Sequence, residues 1–580
     1  MQKKIAVIFM ALVISTAALT GCDGGTYGVE DSSVISGTAS SVASTDESES
    51  SEASADNGES AFADGDFKDV ESETPNATIT LSGSEGTISD TTRGSSGSDV
   101  TITSKGIYEI TGSSENVTIT INDDNKSGNI YLILNDVTMT NSEKPCIYVE
   151  NSEKVIIVCK GSSTLTYTAA DNTDGLDGAI YAEDDVTING SGTLTVDSSL
   201  HGIVCKDDLK VTGSTLEVMA ASVGVKAGDS VRIGGGTITI ESRHDGIQVQ
   251  NKTGDSFFHM EDGTITINTG YDGIDVGTSD ADFTGYAKLI GGMANITSGG
   301  GTDNSKDSDT SQKGVKCDGN IILGDIPLTV SSADDAVNSK GLVSVSGGII
   351  ELSTSDDGIT TDGTFSITDG KLSVTKSYEA LEAADVTIDG GDVSVVSTDD
   401  GINAGGGSDT SSDEQGPMAA SSGTITINGG SVYVNASGDG IDANGSIYIT
   451  GGTVIVEGPT DAGNGAIDKG DGSDCVASIT GGTVLALGTT GMAVNFDTGS
   501  QCSALVMLSG SDGDEITVDD GSDFSFTASK SFECAVYSSP SLSEGSTYTL
   551  TAGSNTASLD FSSALYFSDV AGGMGSPGQR

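Results

Sequence analysis

Apolar and polar positions alternate with a period of two along most of this chain, as in Thr364-Phe365-Ser366-Ile367 and Lys371-Leu372-Ser373-Val374. Such alternation marks short, half-buried strands. The strands recur in a unit of about 22 residues, punctuated by a small residue that follows an acid or turn former and precedes Ile, Val or Leu. The small residue falls at Gly202, Gly224, Gly246, Gly273, Gly314, Ala336, Gly358, Ala380, Gly401 and Gly440. Three strands fit into each repeat, with Gly-Gly or Asp-Gly corners such as Gly347-Gly348, Asp369-Gly370 and Gly390-Gly391. Stacked copies of one supersecondary unit are implied. The abundance of Thr, Ile, Val and Gly, with little Leu, Ala or Lys at 3.6 spacing, excludes a helical array. The expected fold is all-β: a right-handed parallel β-helix, a solenoid of about 22 residues per coil, with β caps.

The amino terminus reads as an export signal. Lys3 and Lys4 precede the apolar run Ile5 to Leu19, and Leu19-Thr20-Gly21-Cys22 has the form of a lipobox. The run is too short for a comfortable membrane span. Residues 1–21 are therefore expected to be a lipoprotein signal peptide, with Cys22 becoming the lipidated first residue. An acidic, Ser-rich disordered tether is expected over 22–73. Residues 74–175 form a looser β region continuous with the repeats, the repeats occupy 176–483, and 484–580 make a β cap with a loose tail. The expected location is outside the cytoplasm, at the cell surface, with membrane contact only through the lipid.

Composition narrows the partners. With 85 acidic and 25 basic residues the net charge is −60, which excludes a nucleic-acid reader that needs a basic footprint. There is no Trp, so sugar stacking falls to Tyr or Phe; Tyr378 is the aromatic candidate. The seven cysteines beyond Cys22 are odd in number and contain no C-x-x-C, which excludes a disulfide framework and a zinc site. Most are expected to be small buried hydrophobes; Cys146 and Cys159 could pair if they lie on adjacent coils.

Insertions mark one corner of the stack. From anchor glycine to the second residue of the Gly-Gly corner is 12 positions in plain units (358 to 370), but 17 from 246 to 263, 19 from 273 to 292 and 29 from 401 to 430. Another insertion lies at 301–312. At about 4.8 Å per unit, the five steps from Gly273 to Gly401 span roughly 24 Å, a trough long enough for several sugars. Two residues after each anchor the side chain should face outward, which gives Asp275, Lys316, Asn338, Thr360, Glu382, Asn403 and Asp442. Lys316, Asn338, Thr360, Glu382 and Asn403, with Tyr378, are the candidate carbohydrate-binding residues. Any exposed strand face is polar, so a solvated face is the competing reading.

Immediately before the anchor lies a second row: Asp245, Asp272, Lys313, Asp335, Asp357, Glu379, Asp400 and Asp439, doubled by Asp334, Asp356 and Asp399. Unpaired carboxylates one unit apart repel by about 1 kcal/mol in water and about 3.5 kcal/mol at an effective dielectric of 20. Cations are called for, and oxygen ligands of this kind suit Ca²⁺. The candidate ligands are Asp272, Asp275, Asp334, Asp335, Asp356, Asp357, Glu379, Asp399, Asp400, Asp439 and Asp442. Ordinary Asp-Gly turn chemistry is the alternative, since an Asp side chain also satisfies turn amides.

The lipobox and acidic tether, the stretch Asn129-Ile-Tyr-Leu-Ile-Leu-Asn-Asp-Val-Thr-Met-Thr140, the run Cys146-Ile-Tyr-Val149 and the Asp-Gly-Ile units resemble the bacterial carbohydrate-binding domain-containing β-helix family. The resemblance covers most of residues 75–570. It implies a surface protein that binds cellulose-like and acidic plant polysaccharides, with calcium sites, on a fold similar to pectate lyases. The lack of Trp favours uronic-acid polymers bridged by calcium. Two other functions compete. A Ca²⁺-dependent polysaccharide lyase would need a base beside the metal, for which Lys316, with Lys313 close by, is the candidate. A structural or adhesive stalk would need neither.

Overall fold

A computed structural model of the protein describes residues 61–170, 175–251, 254–278, 285–405 and 422–567. The chain divides into two units, Met1–Glu59 and Ser60–Arg580, and all described residues lie in the second. Cys22, the signal peptide and most of the expected tether lie outside them.

Strand is nearly the only regular structure in the described chain. The parallel pairing carries the 22-residue recurrence: Ile203 is in register with Val225, Val225 with Ile247, Val315 with Val337, Val337 with Ile359 and Ile359 with Leu381. These side chains are buried, and each rests on its counterpart in the next strand. Apolar burial along this stack is what holds the strands in register, because a slip of one residue would turn every buried side chain outward.

The expectation of a right-handed parallel β-helix, built as a regular solenoid with β caps, is corrected. The strands belong to one 45-stranded sheet that closes into a six-strand parallel barrel, with the many other strands outside it. The ring runs through Ile130–Asn141, Val155–Lys160, Val186–Gly190, Asp208–Ala220, Thr193–Ser198 and Ser162–Tyr167, each paired with the next and the last with the first. Ring closure is possible because two of these strands, Ile130–Asn141 and Asp208–Ala220, continue through a bend and pair with one neighbour before it and another after it. Asp136 and Ser214 take the left-handed φ values of 53° and 68° inside otherwise extended strands, so pairing resumes with a second neighbour.

The ends depart from parallel pairing. Ala77–Gly83 is antiparallel to Glu85–Ile88. Phe532–Ser538 is antiparallel to both Thr483–Gly488 and Ser503–Gly510. A separate four-stranded sheet contains Glu515–Val518, Ser525–Thr527, Thr547–Ala552 and Asn555–Asp560. Six of the seven described cysteines are buried, and all seven are unpaired, Cys146 and Cys159 among them.

Candidate functional site

The outward row expected from strand alternation is present. Register pairs join Asp275 to Lys316, Lys316 to Asn338, Asn338 to Thr360, Thr360 to Glu382, Glu382 to Asn403 and Asn403 to Asp442. The row is less open than alternation alone implies: Asp275 and Thr360 are buried among their neighbours and the rest are half-buried. Pairing extends it one strand further, to Asp468. Asp468 escapes the sequence pattern because its anchor is Ala466, displaced from the 22-residue rhythm by an insertion.

The acidic row stands beside it. Backbone N–H groups of Gly246, Gly273, Gly314, Ala336, Gly358, Ala380 and Gly401 donate to the carbonyls of Asp272, Lys313, Asp335, Asp357, Glu379, Asp400 and Asp439. One carboxylate oxygen is then engaged by the next strand's amide. Asp272 accepts from the Lys313 N–H at 2.8 Å, Asp357 from Glu379 at 2.9 Å, Asp400 from Asp439 at 2.6 Å and Asp439 from Gly465 at 2.5 Å. In these four acids one oxygen is thus taken up by a backbone amide, which the next strand supplies and not the acid's own turn. The second oxygen is what distinguishes the lower from the upper half of the row.

Lysines neutralise the lower half. Lys316 Nζ lies 3.1 Å from Asp272 and 3.3 Å from Asp275. Lys313 bonds both Asp334, at 3.1 Å, and Asp335. Lys306, from the 301–312 insertion, reaches Asp334 at 3.2 Å and Asp356 at 2.5 Å. No sequence signal marks Lys306, whose partners are 28 and 50 residues away in the chain. Burial would lower the Lys316 ammonium, but the charges of Asp272 and Asp275 outweigh it and raise its pKa above the ordinary lysine value. A lysine held so firmly as ammonium is a poor general base.

The upper half has no such counter-charges. No ion pair among the described residues reaches Asp357, Glu379, Asp400, Asp439 or Asp442. Burial, reinforced by neighbouring acids, pushes Asp357 up to about 9, Glu379 to about 8, Asp442 to about 7, and Asp400 and Asp439 to about 6. Asn403 donates to Glu379 at 3.0 Å. Asp399 turns instead toward Tyr378, whose hydroxyl it pushes up to about 12 through a hydrogen bond and its charge. The Tyr378 side chain is 48% exposed at the edge of the row.

Two acidic triads have one carboxylate oxygen per residue within 4.8 Å of one another: Asp334, Asp335 and Asp356, and Asp400, Asp439 and Asp442. Oxygens sharing a Ca²⁺ ion lie at most about 5 Å apart, given Ca–O distances of 2.3–2.6 Å. Both triads meet that limit, but Lys306 and Lys313 already occupy the first. Asp400, Asp439 and Asp442 fit a divalent cation without displacing a lysine. Asp272 and Asp275 are bound up with Lys316, and Asp357 and Glu379 stack between the two triads.

A carbohydrate-binding domain-containing protein of Acetivibrio thermocellus is 35% identical over 130 residues, which is 21% of this chain and 45% of that protein, so the chain spans less than half of the relative. A solved structure described as a polysaccharide lyase-like protein from C. thermocellum, a gadolinium derivative, is 30% identical with a TM-score of 0.33, covering 38% of this chain and 94% of that one. A family model for carbohydrate-binding domain-containing proteins matches residues 96–358 and 353–524. With well over half its length matched, this chain belongs to that family.

Proposed function

We propose that the protein binds acidic polysaccharide without turning it over, through Ca²⁺ held by Asp400, Asp439 and Asp442. The observation that carries this reading is the contrast within one acidic row, whose lower half is neutralised by Lys306, Lys313 and Lys316 while no ion pair among the described residues reaches Asp400, Asp439 or Asp442 in the upper half. A divalent ion there would be ligated by the oxygens that the backbone leaves available, and a uronate carboxylate would complete its shell. Asn403, Glu382, Thr360 and Asn338 continue the row as hydrogen-bonding groups, and exposed Tyr378 offers a ring at its edge. The ammonium state of Lys316 supports binding over the lyase reading. Lipidation at Cys22 would hold the protein at the cell surface.

The full chain carrying Cys22→Ser tests this free of lipid. Calcium at a hundred times its dissociation constant is expected to stabilise the fold by about 2.7 kcal/mol, read as a rise in Tm that a chelator reverses. The double variant Asp400→Asn, Asp442→Asn should lose that rise together with calcium-dependent binding of polygalacturonate in calorimetry. An unchanged Tm in calcium removes the ion from the proposal. Failure of both polygalacturonate and β-glucans to bind in calcium leaves the adhesive-stalk reading.

A further inference from the structure

The parallel pair Ser431–Asn435 and Thr453–Glu457 sets Asn435 directly beside Glu457, one strand step apart. The connection at 528–531, between Ser525–Thr527 and Phe532–Ser538, lies over this pair. From it, the Ser529 N–H and hydroxyl both donate to Glu457, at 2.7 and 2.6 Å. Lys530 Nζ donates at 2.5 Å to the carbonyl oxygen of Ala436, the residue that follows Asn435. Glu457 is 1% exposed, and the Phe526 ring stands 6.2 Å from that of Tyr433, centroid to centroid.

An amine, a primary amide and a buried carboxylate are thus gathered where the C-terminal strands meet the parallel ones, and each has the state that one reaction requires. Lys313 and Lys316 are held as ammonium by carboxylates, whereas Lys530 Nζ meets a carbonyl oxygen. Burial pushes its pKa down to about 8, against the opposing charge of Glu457. A lysine so depressed supplies neutral amine, the nucleophilic form, near neutral pH. The Asn435 amide would ordinarily be inert, because its nitrogen leaves only after gaining a proton. Here Asn435 Nδ2 donates to Ser529 Oγ at 3.2 Å and to Tyr433 Oη at 3.4 Å, and each of those hydroxyls donates to Glu457 Oε2 at 2.6 Å. Two hydroxyls therefore link the leaving nitrogen to a carboxylate that can carry a proton. Docking the connection by hydrogen bonds alone would not call for a lysine amine buried against a carbonyl, since an ammonium placed there is costly.

We propose that the folded chain joins Lys530 to Asn435 by an intramolecular isopeptide bond, with Glu457 as the proton carrier. Lys530 Nζ attacks Asn435 Cγ; the Nζ–Cγ bond forms and the Cγ–Nδ2 bond breaks. The proton lost by Nζ passes to Glu457 and from there, through the Tyr433 or Ser529 hydroxyl, to Nδ2, which leaves as ammonia. Nothing is oxidised or reduced and no co-reactant is consumed. Holding the groups together in the fold replaces an encounter between separate molecules. The product fastens the C-terminal strands to the parallel strands and closes the chain from 435 to 530 into a covalent loop. It is independent of the polysaccharide reading and of calcium.

Mass spectrometry of the full chain carrying Cys22→Ser, denatured and reduced, tests this. The mass should fall short of the sequence by one ammonia, and a tryptic digest should contain a branched peptide that joins the Asn435 and Lys530 segments, uncut after Lys530. Lys530→Arg and Glu457→Gln should each restore the full mass and the separate linear peptides, lower the Tm and change migration on a reducing denaturing gel, where the parent keeps its closed loop. The proposal is overturned if the parent has the full mass, if it shows an ammonia deficit without the branched peptide, or if Glu457→Gln forms the branched peptide as completely as the parent does.

Discussion

The anchor residues are small because of what lies over them. A Cβ on Gly224 would stand 2.3 Å from Ile240 Cγ2 and 2.7 Å from the carbonyl oxygen of Gly246, and Gly246 meets the same pair of obstacles in Ile267 and Gly273. Neither glycine has a left-handed φ, so contact excludes the methyl group and backbone strain does not. At Ala336 and Ala380 the same position carries a buried methyl group, which shows how slight the required adjustment is. Gly224→Ala should therefore cost about 1–3 kcal/mol by overpacking, and Gly224→Val more, in urea denaturation. A neutral Gly224→Ala would mean that the stack relaxes freely at this point. The small anchors, and with them the two rows on either side, were legible in the sequence because side-chain alternation is a local property of a strand. The pairing of Lys306 with Asp334 and Asp356 was not, since it depends on where an insertion folds back.

At the scale of elements, the stretch 61–73 reads as part of a tether from its composition, yet it packs across the strands. Val70 is buried with Ile107, Tyr131, Ile133, Ile156 and Val158. Asp66 is fully buried, its carboxylate bonded by Lys154 and by Thr187 Oγ1 at 3.1 Å, with Lys210 at 3.7 Å, while Asn189 and Thr212 donate to its carbonyl at 3.0 and 2.6 Å. Three well-spaced contacts, Phe62, Asp66 and Val70, suffice to order a segment whose average hydrophobicity is low, and averages are what a compositional reading weighs. Burial alone would raise the Asp66 pKa, but the Lys154 bond, the Ala63 N–H and the charges of Lys154 and Lys210 outweigh it, and the carboxyl lies below its ordinary value. A depressed carboxyl contributes stability above its unfolded pKa, near 3.9, and loses it as pH falls through the folded value. Asp66→Asn should accordingly destabilise the fold by about 3 kcal/mol at neutral pH, the loss expected when one partner of a buried pair is removed, and should flatten the acid limb of a Tm-versus-pH curve. An identical acid limb in the variant would assign that limb to other carboxylates. The ring closure of the sheet was hidden for a related reason: Asp136 and Ser214 are not glycines, and nothing local announces that a strand will bend there and keep pairing.

For the whole molecule, the net charge of −60 sets how an acidic polymer approaches. Both partners are polyanions, so their long-range interaction is repulsive even where bound calcium makes the final contact attractive. Screening extends over about 30 Å at 0.01 M salt and about 8 Å at 0.15 M. Raising NaCl across that range at fixed saturating calcium should speed association with polygalacturonate, by roughly tenfold if steering has its usual weight, because salt removes the repulsion before contact is made. That is the opposite of the salt dependence of a basic protein on a polyanion. Surface plasmon resonance at matched calcium measures the rate. Slower polygalacturonate binding at higher salt would mean that the polymer is drawn in by a local cation field at Asp400, Asp439 and Asp442 that outweighs the acidic excess of the rest of the chain.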